Sequence, residues 1–181
     1  MKAKSFSVKV KEKIKPFNKI IKVDSDKSLS IRSFLIGSIC QNISTVTNVL
    51  ESEDVKSTIE ACKKLGVKIV KSNSGSYKIY GKGLGSLFAK KNTVINCFNS
   101  GTLSRLLLGI LSTTPNIEII MTGDSSLRKR SMKKLILLMS EFGATFLPKN
   151  KFNFPLKIIS TDMPIGINYS AGVSAQLKSA V

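Results

Sequence analysis

The sequence predicts an α/β protein made of repeated strand-helix units, and three observations support this prediction. Short apolar stretches alternate along the 181 residues with longer segments of helical periodicity. Polar turns containing Ser or Gly precede three of the predicted helices, which begin near residues 28, 102 and 174. These helix starts lie roughly 70 to 75 residues apart, which favours an internal repeat over chance similarity.

The first unit begins with two extended segments. Alternating polar and apolar residues predict a strand at 5–10 and an extended stretch at 20–23, followed by a helix that Ser28 or a neighbour would cap. A strand at 45–50, a helix at 53–65 with Asp54 in its first turn and Gly66 at its end, and strands at 67–70 and 76–80 follow. The glycines at 81–85 lack the phosphate-loop pattern and predict a turn.

The second unit repeats this order. It consists of a strand at 93–97, a polar turn at 99–102, a helix to residue 111, a strand at 117–121, a helix at 132–142, Gly143 and an extended stretch. A third unit starts with a strand at 167–169 and a helix from about residue 173. Because residues 174–181 open an apolar helix with no Gly or Pro behind it, we expect the sequence to be truncated there.

The composition limits the classes of partner and chemistry. Lys and Arg number 29 against 11 acidic residues, a formal charge of +18 that suits nucleic acid, a membrane surface or phosphorylated metabolites. The basic residues are scattered and Trp is absent, which argues against a stacking surface for nucleic acid; solvated lysines from a biased composition are the alternative. Because His is absent, proton transfer must use Lys, Asp or Glu.

The cysteines and the apolar runs predict no metal site and no membrane segment. Cys40, Cys62 and Cys97 lack metal-ligand spacing and stand in apolar stretches, so we interpret them as buried thiols. The basic N-terminus lacks the apolar core of a signal peptide, and no apolar run approaches the roughly 20 residues of a membrane span. The sequence therefore predicts a cytoplasmic protein.

Three segments combine cations or small polar residues with a helix start, which is a natural seat for phosphate or carboxylate. An ordinary helix cap, an ordinary turn and a solvated basic loop are the respective alternatives. The members are Lys27, Ser28 and Arg32 in the first segment, Asn99, Gly101, Thr102 and Arg105 in the second, and Arg128, Lys129 and Arg130 in the third.

Five motifs occur in a fixed order that resembles the enolpyruvyl transferase family and, within it, the EPSP synthases. Residues 26–32 are similar to the signature D-K-S-[IVL]-S-x-R, 50–55 to L-x-x-x-D-V, and 99–105 to N-[AS]-G-T-x-x-R. Residues 122–132 resemble T-G-D-x-S-L-x-x-R-P-M, and 174–180 resemble S-[AS]-Q-x-K-[ST]-A. The resemblance covers nearly the whole chain.

The resemblance implies a fold and a reaction. The family has two similar domains, each a threefold repeat of strand-helix units described as an inside-out α/β barrel. Residues 23–181 would form the first domain, truncated in its third repeat, and residues 1–22 would be a strand region packing with the other domain. The reaction would transfer the enolpyruvyl group of phosphoenolpyruvate to the 5-hydroxyl of shikimate 3-phosphate, in a monomer without a metal, an organic cofactor or a nucleic-acid partner.

The resemblance also assigns substrate-binding roles. Lys27 would contact both substrates, and Ser28 and Arg32 would hold shikimate 3-phosphate. Gly101 and Arg130 would contact phosphoenolpyruvate. The remaining candidates are Ser174, Ala175 and Gln176 at the shikimate phosphate, with Gln176 also near phosphoenolpyruvate, and Asn99, Thr102 and Arg105 as further binding residues. Because the family's proton-transfer residues lie in its other half, no catalytic residue is predicted here and the chain alone is expected to be inactive.

Four departures from the family pattern put the shape of the loops and the activity in question. The pair Asp24-Ser25 stands where Pro-Gly is usual, Ile31 where His or Asn is usual, Phe98 where Gly often precedes Asn99, and Ser131 where Pro is usual.

Two alternatives to this function remain. The first is the sister transferase acting on UDP-N-acetylglucosamine, whose opening resembles G-A-K-N-A and which uses a cysteine loop; Lys27, Ser28 and Arg32 argue against it. The second is a basic nucleic-acid-binding module, which would bind DNA or RNA with steep salt dependence.

Overall fold

A computed structural model describes residues 7–9, 11, 13, 15–16, 18–21, 23–170 and 172–181. Within these residues the chain forms six helices and seven strands. In chain order they are α1 (Lys27–Ile39), β1 (Ile43–Val46), α2 (Glu53–Lys64), β2 (Lys68–Asn73), β3 (Ser76–Tyr80), β4 (Thr93–Asn96), α3 (Gly101–Ser112), β5 (Glu118–Thr122), α4 (Ser125–Arg128), α5 (Lys133–Glu141), β6 (Thr145–Leu147), β7 (Leu156–Ile159) and α6 (Ala175–Ala180).

The strands form two sheets whose topologies repeat. The first sheet has the order β1-β3-β2 and the second the order β4-β5-β7-β6. β1-β3-β2 and β5-β7-β6 match strand for strand, and all neighbours within each set are antiparallel. β4 adds to the second sheet in parallel with β5, and no described strand takes the corresponding place beside β1. The predicted α/β fold of repeated strand-helix units is confirmed.

The helix that opens each unit is capped in the same way. Asp26, Ser100 and Ser174 have extended backbone, and the side-chain oxygen of each accepts a hydrogen bond from the amide three residues later. The cap positions are separated by 74 residues each time, from 26 to 100 and from 100 to 174. The three predicted helix starts are therefore confirmed, with Asp26 rather than Ser28 as the first cap.

The opening helices pack against one another around the core. α1 contacts α2 and α3, and α3 contacts α6. Ile31 and Phe34 on α1 and Leu103 and Leu107 on α3 are fully buried. A side chain in place of the hydrogen of Gly109 would collide with the carbonyl group of Ala180, so this glycine allows α6 to lie directly on α3.

Some of the predicted strands are wrong. Residues 167–169 form no strand, because no described strand lies beside them, and Ile167 instead packs on the core. The strand predicted at 45–50 ends at Val46. Val49 is buried in the following loop, where its amide donates to the carbonyl of Gly75. A buried apolar residue in a loop gives the same sequence signal as a buried residue in a strand. The segments 5–10 and 20–23 lie partly outside the described residues, and 7–9, 20, 21 and 23 carry no strand.

The remaining elements follow the prediction closely. α2, β3 and α3 lie within two residues of the predicted bounds, and the turn at 81–85 carries no helix. Gly66 has a φ of 84°, which fits its predicted place at the end of α2. The four-residue α4 was not predicted because it is too short to show helical periodicity, and β7 was predicted only as part of an extended stretch.

The three cysteines are free thiols, and the predicted burial is confirmed for Cys62 and Cys97, whereas Cys40 is only half-buried. Burial raises the pKa of Cys62 to about 11 and that of Cys97 to about 12, so both are packing residues rather than nucleophiles. In the part of the chain that the structure describes, no helix combines the length and the apolar character needed to cross a bilayer.

Candidate anion-binding site

One polar cleft brings together six of the ten predicted substrate-binding residues. It has a volume of about 430 Å3 and lies where the first turns of α1, α3 and α6 meet the segment after α4. The lining residues are Lys27, Asn99, Gly101, Thr102, Arg130 and Gln176 from the predicted set, together with Arg105 and Asp54.

The sheet edge positions the centre of this cleft. β4 and β5 are parallel and end at the same edge, with Asn96 beside Thr122. The amide of Cys97 donates to the carbonyl of Thr122, and the amide of Asp124 donates to the carbonyl of Phe98. These two bonds tie the turn before α3 to the turn before α4. As a result, Gly101 at the start of α3 lies next to the segment that carries Arg130.

Two guanidinium groups converge on Gly101. A Cβ placed on this glycine would lie 2.8 Å from Nη1 of Arg105 and 3.0 Å from Nη1 of Arg130. The first amide groups of a helix also have no acceptor within the helix, and α3 begins at this residue. A glycine here therefore leaves open a small volume bordered by two cations and the positive end of a 12-residue helix.

Side-chain hydrogen bonds connect α3 to α6 across the cleft. Nη1 of Arg105 donates to Oε1 of Gln176 at 2.9 Å and to the carbonyl oxygen of Gly101 at 3.2 Å. Nε2 of Gln176 donates to Oγ1 of Thr102 at 3.1 Å. Thr102 and Gln176 occupy equivalent positions, each two residues after its cap, 74 residues apart in sequence.

Arg130 and Lys27 are each held by neighbouring polar side chains of the cleft. Nη2 of Arg130 donates to Oδ1 of Asn99 at 2.6 Å and more weakly to Oγ of Ser126 at 3.4 Å. Nζ of Lys27 lies 2.9 Å from Oδ2 of Asp54. Asp54 is the cleft residue that the sequence did not identify, although it stands in the L-x-x-x-D-V segment.

The electrostatics of the cleft favour an anion. Among the described residues, neither Arg105 nor Arg130 pairs with a carboxylate. Burial lowers the pKa of the Arg105 guanidinium, and the charge of Arg130 lowers it further, although an arginine remains protonated. Bringing two like charges together is unfavourable unless an anion compensates them, so the arrangement suits a phosphate or a carboxylate. In the described part of the chain, no three side chains of Cys, Asp or Glu come together as metal ligands would.

Comparison with known proteins identifies the family. The family model described as EPSP synthase (3-phosphoshikimate 1-carboxyvinyltransferase) matches residues 11–181. This chain belongs to the EPSP synthase family. The family that its five motifs predicted is thereby confirmed.

Individual members of the EPSP synthase family match at substantial identity. The chain is 42% identical over 163 residues to the 3-phosphoshikimate 1-carboxyvinyltransferase of Caldicellulosiruptor saccharolyticus, covering 89% of this chain and 37% of that protein. It is 38% identical over 160 residues to the protein of that name from Paramagnetospirillum magneticum, covering 88% of this chain and 35% of that one. A solved EPSP synthase from Acinetobacter baumannii matches with a TM-score of 0.80 at 36% identity, covering 88% of this chain and 36% of that chain. The chain thus spans well under half the length of these EPSP synthases.

Four predicted residues of the EPSP synthase pattern lie outside the cleft. Ser28 is half-buried in the first turn of α1, and its carbonyl accepts a bond from Arg32. Nη2 of Arg32 donates to Oγ of Ser179, which joins α1 to α6. Ser174 caps α6 and lines an adjacent cavity of about 850 Å3 that also includes Arg105. The fourth residue, Ala175, is exposed at the start of α6.

Three of the four departures from the EPSP synthase pattern have a structural account. Phe98 adopts a φ of 47°, the left-handed region that favours glycine, so the turn keeps its backbone conformation at a cost in strain. Ile31 is fully buried, which explains an apolar residue there. Oγ of Ser131 accepts a bond from the amide of Lys133 at the start of α5. Nothing in the structure explains Ser25.

Proposed function

We propose that the chain forms the phosphoenolpyruvate-binding floor of an EPSP synthase and part of its shikimate 3-phosphate site. The observation that carries this proposal is the convergence of the Arg105 and Arg130 guanidinium groups on the open side of Gly101. Phosphoenolpyruvate carries a carboxylate and a phosphate. A helix N-terminus beside two guanidinium charges that no described carboxylate neutralises suits such a ligand. Lys27, which lines the cleft, would contact both substrates.

The second substrate is proposed to lie toward α1 and α6. The residues assigned to shikimate 3-phosphate are Ser28, Arg32, Ser174, Ala175 and Gln176. The bond from Arg32 to Ser179 supports a common location, because it holds these two helices together outside the cleft. Gln176 lines the cleft itself and would approach both substrates.

In the proposed reaction, the 5-hydroxyl oxygen of shikimate 3-phosphate bonds to C2 of phosphoenolpyruvate and loses its proton to a base, while an acid delivers a proton to C3. The product of this step is a tetrahedral intermediate. Loss of a C3 proton and of inorganic phosphate then restores the double bond and gives the product. The role of Lys27 and Arg130 is to stabilise negative charge that develops on the phosphate as it leaves. This chemistry needs no metal or organic cofactor.

We propose that the proton-transfer residues lie in the part of the EPSP synthases that this chain does not span. Among the described residues lining the cleft, the one carboxylate is that of Asp54, and it is paired with Lys27. We therefore propose that the 181-residue chain binds substrate but does not turn it over alone.

The remaining proposals concern the whole protein. Residues 23–181 belong to the first of the two domains of the family fold. The enzyme is a cytoplasmic monomer. We propose that it does not bind nucleic acid, because its basic residues are scattered through the sequence rather than gathered in a tail or on one helix face.

A chimera tests the proposed activity. The 181 residues replace the matching part of the Caldicellulosiruptor saccharolyticus protein, and phosphate release is measured with phosphoenolpyruvate and shikimate 3-phosphate. We expect activity in the chimera, none in the 181-residue chain, and loss of activity in an Arg130→Met chimera. A control at an exposed lysine that lines neither the cleft nor the adjacent cavity, Lys90→Met, should keep the activity of the chimera. A folded chimera that releases no phosphate would contradict the proposal, as would turnover by the chain alone.

A further inference from the structure

The carboxamide of Gln176 is bonded on both sides within the cleft. Its Oε1 accepts from Nη1 of Arg105 at 2.9 Å, and its Nε2 donates to Oγ1 of Thr102 at 3.1 Å. Gln176 belongs to a helix of six residues, whereas Arg105 and Thr102 belong to the 12-residue α3. The longer helix therefore fixes a side chain that the shorter helix presents.

The guanidinium group decides which way the carboxamide faces. Arginine has five N–H donors and no acceptor, so it can bond the oxygen of Gln176 but not its NH2 group. The flipped carboxamide would place its NH2 group against the Arg105 cation and lose this bond. In the observed orientation, Nε2 uses one N–H for Thr102 and keeps a second N–H for a ligand.

We propose that Arg105 is a positioning residue, which holds the carboxamide of Gln176 so that it offers an N–H donor to an anion in the cleft. The class of ligand, an anion such as phosphoenolpyruvate, rests on the proposed function. Arg105 is suited to this role because it is half-buried and a second bond, to the carbonyl of Gly101, anchors the same Nη1 atom. In the flipped orientation Gln176 would present its oxygen to the anion and repel it.

The orientation is tested first without any ligand. The chain contains two glutamines, Gln176 and the exposed Gln41, so selective 15N-glutamine labelling gives two side-chain amide pairs, with Gln41 as an internal reference. We expect the Gln176 protons to differ clearly from those of Gln41 in the native chain. In Arg105→Met they should move toward the Gln41 values, while Gln41 and the backbone spectrum stay unchanged.

Two further variants keep this test decisive. Arg105→Lys retains a cation and a donor, so it should restore part of the Gln176 signature even if Arg105→Met folds poorly. Arg128→Met removes an exposed arginine from α4 and should leave both amide pairs unchanged. Native Gln176 signals in a folded Arg105→Met chain would overturn the proposal.

A titration with phosphoenolpyruvate then distinguishes a positioning role of Arg105 from its direct attraction of the ligand. We expect Arg105→Met to raise the dissociation constant about tenfold in the native background and less than about threefold in a Gln176→Leu background, because the first change acts through Gln176. An equal factor in both backgrounds would overturn the proposal, since Arg105 would then act on the ligand directly. Failure of the native chain to bind would contradict the proposed function, whereas the ligand-free spectra would still decide the role of Arg105.

Discussion

Substitution of Gly101 by alanine should weaken anion binding without unfolding the chain. The added Cβ would lie 2.8 Å from Nη1 of Arg105 and 3.0 Å from Nη1 of Arg130. Both contacts are with the ends of flexible side chains, so the two guanidinium groups can move away by a few tenths of an ångström. The methyl group would then occupy the volume that we assign to the ligand.

The structure sets the expected size of each effect. Alanine is the better helix former by up to about 1 kcal/mol, so the first position of α3 should tolerate Gly101→Ala, and the melting temperature should stay constant or rise slightly. The loss of one charge-assisted hydrogen bond to the anion costs about 1.5 to 3 kcal/mol, which corresponds to roughly a 10- to 100-fold increase in the dissociation constant. Binding and stability should therefore change independently.

The measurement combines a phosphoenolpyruvate titration with thermal unfolding of the same samples. Gly166→Ala is the matched control, because a Cβ at Gly166 would meet no atom within 4 Å. This control should leave the dissociation constant unchanged. The reasoning is refuted if Gly101→Ala binds phosphoenolpyruvate as the native chain does, or if it loses affinity only because it unfolds.

Three other predictions follow from the same contacts. Gly109→Ala should displace α6 from α3, because the added Cβ would collide with the carbonyl of Ala180. Residues 174–181 should then exchange amide hydrogens faster, and the affinity for phosphoenolpyruvate should fall. An unchanged exchange rate would contradict this. Phe98→Gly should be more stable than Phe98→Ala by about 0.5 to 1 kcal/mol in urea unfolding, because only alanine retains the strain of the positive φ. The opposite order of stability would show that the turn is unstrained. Hydrogen bonds from Lys71, the Gly75 amide and the Tyr77 hydroxyl lower the pKa of Glu51 to about 2. The stability that the ionised Glu51 contributes should therefore be full above about pH 4.5 and disappear as the pH falls toward 2. A Glu51→Gln chain whose urea midpoint differs from the native one equally at pH 6 and pH 2 would contradict this.

The sequence predicted the parts of the fold that depend on local signals. Gly66 and the polar cap residues mark the ends of helices, so the helix boundaries were predicted to within a few residues. The strand expected at 167–169 was wrong because a strand needs a neighbour, and local alternation does not supply one. The error at β1 has the same origin, since Val49 is buried by a loop contact with the β2-β3 hairpin rather than by a sheet.

The residues of the candidate site were predictable, but their arrangement was not. Motif resemblance identified Lys27, Gly101 and Gln176 one by one, although they are far apart in sequence. Their convergence depends on the packing of α1 and α6 against α3. The packing of α6 on α3 in turn requires that residue 109 has no side chain. Asp54 was overlooked because an acidic residue in the first turn of a helix is common for reasons of helix stability alone.

The internal repeat explains why one cleft collects residues from all three units. The caps of the three opening helices are 74 residues apart in sequence. Because α1 packs on α3 and α3 packs on α6, residues from all three helix starts nevertheless line one cleft. The equivalent positions two residues after the caps of α3 and α6 are Thr102 and Gln176, and these two side chains bond each other directly. A repeat that kept three identical starts would place like groups in contact at this point. The chain instead carries a different polar side chain at each start, and it is this divergence that gives a cleft with cations on one side and an oriented carboxamide on the other.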